Sequence, residues 1–190
     1  MKRIAIGTVA LLLCACAPSA TPTPEPTVTP LPPTDTLVPN LEPIDFGKVI
    51  FNPRDWDISD FADLTPTGNL LQGIHVEIKE PLSPLSEGRI DVHVYATPDD
   101  AVVQFDKWVS EDVSGLDSYA TSTTDLGNPI VVGISTIPAG GGLPATAVAT
   151  YVVQVCRGVI NYSLSMSGTP TDFTPSIEKT EQALAEFTCP

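Results

Sequence analysis

Positive charge is scarce in this chain. Nine Lys and Arg stand against 23 Asp and Glu over 190 residues, a net charge of −14, which makes nucleic acid and anionic lipid surfaces poor partners for the folded part. Histidine is scarcer still, with only His75 and His93. The four cysteines include no Cys-x-x-Cys pair, so the spacing of a redox motif or a cysteine-rich zinc site is missing. No stretch reaches roughly 18 consecutive apolar residues, which rules out a spanning helix read from hydropathy. There is no Gly-x-Ser-x-Gly elbow, and the run Gly140-Gly141-Gly142 is followed by no Gly-Lys-Ser/Thr and holds no cation, so a phosphate loop is excluded as well. What remains is enough for one domain: 42% hydrophobic residues, with 20 prolines that call for an extended segment somewhere.

Lys2 and Arg3 precede a ten-residue apolar stretch, Ile4 to Leu13. At 1.5 Å rise it covers roughly 15 Å, about half the hydrocarbon thickness, as a signal h-region does. It ends in Leu13-Cys14-Ala15-Cys16. That tetrapeptide resembles the lipobox of bacterial lipoprotein signal peptides, with Leu three positions before the cleaved bond, a small residue before it and Cys after it. The resemblance implies a signal peptide over 1–15 and Cys16 as the lipidated residue, because a cut before Cys14 would set Leu13 against the bond. It implies a diacylglyceryl group on the thiol, with acyl chains such as palmitate holding the chain on the membrane at about 0.8 kcal/mol per buried CH₂. The plainer alternative is an ordinary secretory signal with two incidental cysteines. The likeness covers the signal and identifies no family for the rest.

Residues 16–40 are Thr/Pro-rich, as in Thr21-Pro22-Thr23-Pro24-Glu25-Pro26, continuing through Pro30, Pro32, Pro33 and Pro39. With almost nothing to bury, such a segment stays solvated and populates polyproline II. At about 3.1 Å per residue it could hold a domain some 75 Å from a membrane. It reads either as a spacer through a surface layer or as a processing linker whose length carries no meaning.

The domain proper is expected over 41–190. Ile74, Val76 and Ile78 alternate with polar residues, as do Ile90, Val92 and Val94, which predicts two antiparallel strands with outward Asp91, His93 and Tyr95. Thr97-Pro98-Asp99-Asp100 opens a helix, with Thr as N-cap and Pro at the first position, whose stripe contains Ala101, Phe105 and Trp108. A strand is expected over Pro129 to Thr136. A hairpin follows over Ala145 to Met166 with Arg157-Gly158 at its tip, pairing Val155 with Ile160, Val153 with Tyr162 and Thr150 with Ser165. A last helix begins at Thr174-Pro175. The lead-in to Leu71 is irregular, with one further strand near Val49. The fold class expected is α+β, an antiparallel sheet of about five strands in ββαβββα order with both helices packed on one face.

Candidate chemistry is sparse. Cys156 and Cys189 are the two cysteines of the domain, and in an exported chain they are expected to pair. Asp55, Asp57 and Ser59 occupy alternate positions as in a calcium loop, but Asp60 stands where Gly is required and Pro66 where the closing Glu should be, so the plain reading is a solvated face with helix-capping aspartates. If the first two strands pair with residue numbers summing to 168, His75 lies opposite His93 and Glu77 opposite Asp91, a set of imidazoles and carboxylates suited to zinc. Two surface histidines on an amphipathic hairpin are the bland alternative. No cofactor is called for.

Together these features describe a lipid-anchored protein of the cell envelope. Its domain is expected on the extracytoplasmic side, as a non-catalytic binding or assembly module with an envelope protein or small ligand as partner. A small extracytoplasmic hydrolase and a divalent-metal-binding module are the two rivals.

Overall fold

The computed structural model describes residues 43–52, 56–81, 86–167 and 174–189. The signal, Cys16 and the Thr/Pro-rich segment lie outside the described residues, as does Asp55. Among the described residues, seven strands form one sheet. They are β1 (Asp57–Asp63), β2 (Leu70–Lys79), β3 (Glu87–Tyr95), β4 (Ser118–Thr123), β5 (Pro129–Ile137), β6 (Thr146–Val155) and β7 (Gly158–Ser167). The spatial order is β1-β2-β3-β7-β6-β5-β4, antiparallel throughout. Two meanders, β1–β3 and β4–β7, thus meet at the β3/β7 pair. The helices are α1 (Phe46–Val49), α2 (Pro98–Trp108), prolonged by a π-helical turn at Val109–Val113, and α3 (Thr174–Thr188).

The five-strand sheet with both helices on one face is therefore corrected, and the reason lies in β6 and β7. Val152 and Val153 are both 0% exposed although they point to opposite faces, and so are Val159 and Ile160. A strand pair apolar on both sides must be covered on both sides. One cluster joins Val153 and Ile160 to Ile74, Val76, Ile90 and Val92 under Ile177 and Leu184 of α3. The other joins Val152, Val159 and Val131 to Ala101 and Trp108 of α2 and Val113 of the π turn. Helix α2 accordingly lies on the face that the alternation of β2 and β3 marks as polar. Its start is as expected, with Thr97 Oγ1 accepting from Asp100 N at 3.2 Å.

The two added strands are the sheet edges. Every residue of β1 and β4 is exposed, so neither carries the alternation that marks a half-buried strand. The aspartates of 57–63 cap no helix; they run along β1, where charge on an edge discourages pairing with another chain. Val49 belongs to α1 and is fully buried, not to a strand. The glycine run makes the β5–β6 turn, closed by Leu143 N donating to Gly140 O at 2.9 Å.

Both expected hairpin registers are off by two residues. The β6–β7 turn is Cys156-Arg157, so Val153 pairs with Ile160 and Thr150 with Ser163. Gly158 is taken by the strand because α3 needs it there: a Cβ on it would meet Leu184 Cδ2 at 2.6 Å. The turn's left-handed residue is instead Cys156, at φ 49°, and it is bonded to Cys189 at the end of α3, with 5.2 Å between Cα atoms. Tyr162, fully buried, fastens the same helix from the sheet: its hydroxyl donates to Phe51 O at 3.0 Å and lies 2.7 Å from Thr180 Oγ1. Glu181 of α3, 0% exposed, accepts at Oε1 from Thr124 at 2.5 Å and Asn128 at 2.6 Å, tying the β4–β5 turn to the helix.

Two stability changes are expected. Gly158→Ala should cost about 1–3 kcal/mol by overpacking against Leu184, read as a lower urea midpoint with unchanged slope; a neutral result would show that α3 does not sit tightly on β7. Cys156→Ala should cost about 4 kcal/mol for a loop with a sequence separation of 33 in the chain-entropy model. Under reducing conditions most of that difference should vanish, and a difference that persists would place the loss in packing.

Candidate functional site

On the face that α2 shares, β2 and β3 present their odd-numbered residues. His75 lies opposite Asp91, Glu77 opposite Arg89 and Lys79 opposite Glu87; the last two pairs join opposite signs, the arrangement that stabilises directly opposed positions. The next strand continues the rows with Asn161, Ser163 and Ser165. The register sums to 166 rather than 168, which sets His93 opposite Gly73 and separates the expected four-residue metal set. Among the described residues, no group of three or more His, Cys, Asp or Glu is placed to hold a metal ion.

What forms is a chain of contacts. His75 Nδ1 is 2.6 Å from Asp91 Oδ1, and its Nε2 is 3.8 Å from Glu77 Oε1. Arg89 reaches Asp91 Oδ2 with Nε at 3.5 Å and Asp112 Oδ2 with Nη2 at 3.0 Å. Asn161, fully buried, donates from Nδ2 to the same Asp112 oxygen at 2.8 Å. Asp112 comes from the π turn, whose bond from Ser114 N to Val109 O spans five residues. The wider turn changes the helix phase and brings this carboxylate down onto the sheet.

Beyond Asp112 the face is uncovered and forms an open groove of about 600 Å³, lined among others by Ser59, His75, Glu77, Arg89, Asp112 and Ser163. Ser59 sits where the β1–β2 register shifts between Ile58 and Asp60, and bulges of this kind re-aim a side chain beside a site.

His93 belongs to a different environment. Its ring centroid is 4.6 Å from that of Trp108, and Nδ1 lies 3.1 Å from Tyr95 Oη, which donates to Gln104 Oε1 at 3.0 Å. Burial under α2 strips water from the imidazole and lowers its pKa to about 4, against a smaller opposing pull from Asp91. The same burial, helped by Asp100, pushes the Tyr95 phenol up to about 12. His93 is therefore neutral at pH 7 and packs half-buried against Trp108.

Of the residues singled out from sequence, Cys156 and Cys189 are joined, His75 and Glu77 share the groove wall, and Asp91 is buried behind His75. His93 stands apart. Arg89, Asp112 and Asn161 were missed. The alternating signs of Glu77, Lys79, Glu87, Arg89 and Asp91 signal a charged ladder once the strands are paired, but nothing local marks Asp112, which only the π turn delivers.

No protein-family model matches the chain, and no curated protein matches it either. Among solved structures, a crystal structure at 1.50 Å from Bacteroides thetaiotaomicron is similar with a TM-score of 0.36 and 11% identity, over 68% of this chain and 42% of that one. The chain thus spans less than half the length of that neighbour, and a likeness at this level assigns no function.

The pKa of His93 has a consequence for stability. Between about pH 6.5 and 4 the unfolded chain binds a proton at this ring that the folded chain refuses, so its contribution is complete above pH 6.5 and is lost as pH falls towards 4. The loss should approach about 3 kcal/mol. Urea unfolding across that window should show a shallower pH dependence in His93→Asn than in the native chain. Equal slopes would mean that the ring is solvated.

Proposed function

We propose that this protein is a lipid-anchored lipoprotein of the cell envelope, and that the open groove beside His75 and Arg89 is the binding surface of a non-catalytic binding or assembly domain. In this reading residues 1–15 are the signal peptide, Cys16 carries the lipid, residues 16–40 are the stalk and residues 41–190 face the extracytoplasmic side. The groove is the observation that carries the binding function: it is open, of mixed charge, and lined by side chains that already hold one another in place. Such a surface meets a polar partner with its donors and acceptors oriented in advance, which lowers the ordering cost of binding. Export is supported by the Cys156–Cys189 bond, since paired cysteines persist in oxidising compartments. No helix among the described residues is long and apolar enough to cross a membrane.

A second reading, a small extracytoplasmic hydrolase, draws on the 2.6 Å contact between His75 and Asp91, the orientation of a general base. The openness of the groove works against it, because a reacting group there would not be shielded from water.

The anchor and the groove are tested together. Cys16→Ser should abolish palmitate incorporation and leave uncleaved precursor, while Cys14→Ser should not. Labelling that survives in Cys16→Ser and disappears in Cys14→Ser would move the lipid to the other cysteine. Ser165→Trp, which fills the groove floor, should leave the fold intact and release whatever copurifies with the native chain. Unchanged copurification would remove the groove from the binding surface.

A further inference from the structure

We propose that β4 is the strand through which two copies of this chain pair, edge to edge and antiparallel, across a two-fold axis at Thr121. The pairing rests on neither the groove nor the lipid anchor. The sheet of the described residues has two edges, β1 and β4, and they differ in kind. β1 carries Asp57, Asp60 and Asp63, and its register breaks between Ile58 and Asp60; charge and bulges are the devices that keep an edge from pairing. β4, Ser118-Tyr119-Ala120-Thr121-Ser122-Thr123, has no charge and no proline, is exposed along its length and pairs with β5 without a break. From Ser118 to Val155 the single charged residue is Asp125, which lies in the β4–β5 turn. Asp117, just ahead of the strand, is turned back onto β5, where its Oδ2 accepts from Ser135 Oγ at 2.7 Å and from Thr136 N at 3.0 Å.

The turn beside β4 fixes which of its backbone groups are free. Thr124 N donates to Asn128 O at 2.9 Å. Bonded and non-bonded pairs alternate along an antiparallel ladder, so the bonds to β5 fall to Ser122, Ala120 and Ser118. The N–H and C=O groups of Tyr119, Thr121 and Thr123 therefore point off the sheet. A two-fold axis at Thr121 sets Thr121 against the partner's Thr121 and Tyr119 against the partner's Thr123, so that every one of these groups is paired. For antiparallel strands the axis stands perpendicular to the sheet and keeps each face with its like, which excludes a centre between Ala120 and Thr121, whose side chains alternate. A centre at Ala120 would set Thr123 against Asp117 instead of a strand residue.

The charge of the chain selects a second copy as the occupant. At a net charge of −14, copies repel across most of their surface, and the stretch from β4 to β6 is where they do so least. Large apolar side chains are uncovered in the same stretch: Tyr119 is 58% exposed, and Leu126, Ile137 and Leu143 are exposed as well. With one open edge and one guarded edge per chain, the contact is isologous and closes as a dimer instead of running on as a fibre. The axis also opens the two grooves to the same side of the joined sheet, so that a partner with repeated sites is held by both.

The test is sedimentation velocity of the full chain in mild detergent over a range of concentrations, where a reversible dimer is expected. Thr121→Pro removes the central outward N–H and leaves the bonds to β5 in place; it should weaken the dimer by about tenfold or more. Phe61→Pro, on the guarded edge, should leave the dimer unchanged. Circular dichroism separates loss of pairing from loss of fold. A second measurement stands even if the proline variant fails to fold. Opposed residues of a bonded pair have Cα atoms about 5.5 Å apart, within disulfide range, so Thr121→Cys should oxidise to a covalent dimer absent from the native chain run alongside. Ala120→Cys should not, since its counterpart lies beyond about 7 Å. A chain monomeric up to about 0.1 mM, a dimer untouched by a folded Thr121→Pro or lost in Phe61→Pro, or linkage through Ala120→Cys but not Thr121→Cys would each overturn the pairing. The groove is untouched by any of these outcomes, because its own test reads copurification in Ser165→Trp.

Discussion

The burial of the β6–β7 hairpin on both faces is the constraint from which the rest of this architecture follows. Val152, Val153, Val155, Val159 and Ile160 are all fully buried, and leaving either set exposed would forgo roughly 1.5–3 kcal/mol per side chain. One face is closed by α3 and the other by α2 with its π turn. The chain order makes this possible: after β3 it crosses one face through α2 to reach the far edge at β4, and after β7 it returns over the other face as α3. The strands least able to contribute a core, β1 and β4, are thereby left at the edges.

The groove is what that crossing leaves uncovered. The α2 segment protects the apolar side chains of β5, β6 and β7 and ends where the face of β2 and β3 becomes charged. At the boundary Asp112 exchanges apolar packing for contacts to Arg89 and Asn161. Opposite signs meet directly at Glu77/Arg89 and Lys79/Glu87, so this acidic chain sets two of its few cations opposite carboxylates on the neighbouring strand. His93 shows how narrow the boundary is. It shares a face with His75 but sits under Trp108, and the loss of water there is enough to hold it neutral.

The two helices make demands on the backbone as well as on side chains. α3 approaches β7 so closely at Gly158 that Leu184 occupies the place of a Cβ, and on the other face Gly133 of β5 leaves room for Leu116 and Val113 just beyond α2. The left-handed residue of the central turn is consequently Cys156. The disulfide from this residue to the end of α3 joins the turn to the helix that dictated it.

Sequence alone determined the faces of β2 and β3, the capped start of α2 and the pairing of Cys156 with Cys189. Each rests on a short-range pattern: a period of two, a Thr-Pro-Asp-Asp start, or the presence of two domain cysteines. It also placed His75, Glu77 and Asp91 on one side of the sheet, because a register shift of two residues preserves parity and changes only the partners. Tertiary structure decided those partners, the assignment of the helices to opposite faces, the two edge strands and the descent of Asp112. Alternation tells which residues share a face, but only the fit of Leu184 over Gly158 and of α2 over Val152 and Val159 selects one register and one helix placement from those the alternation allows.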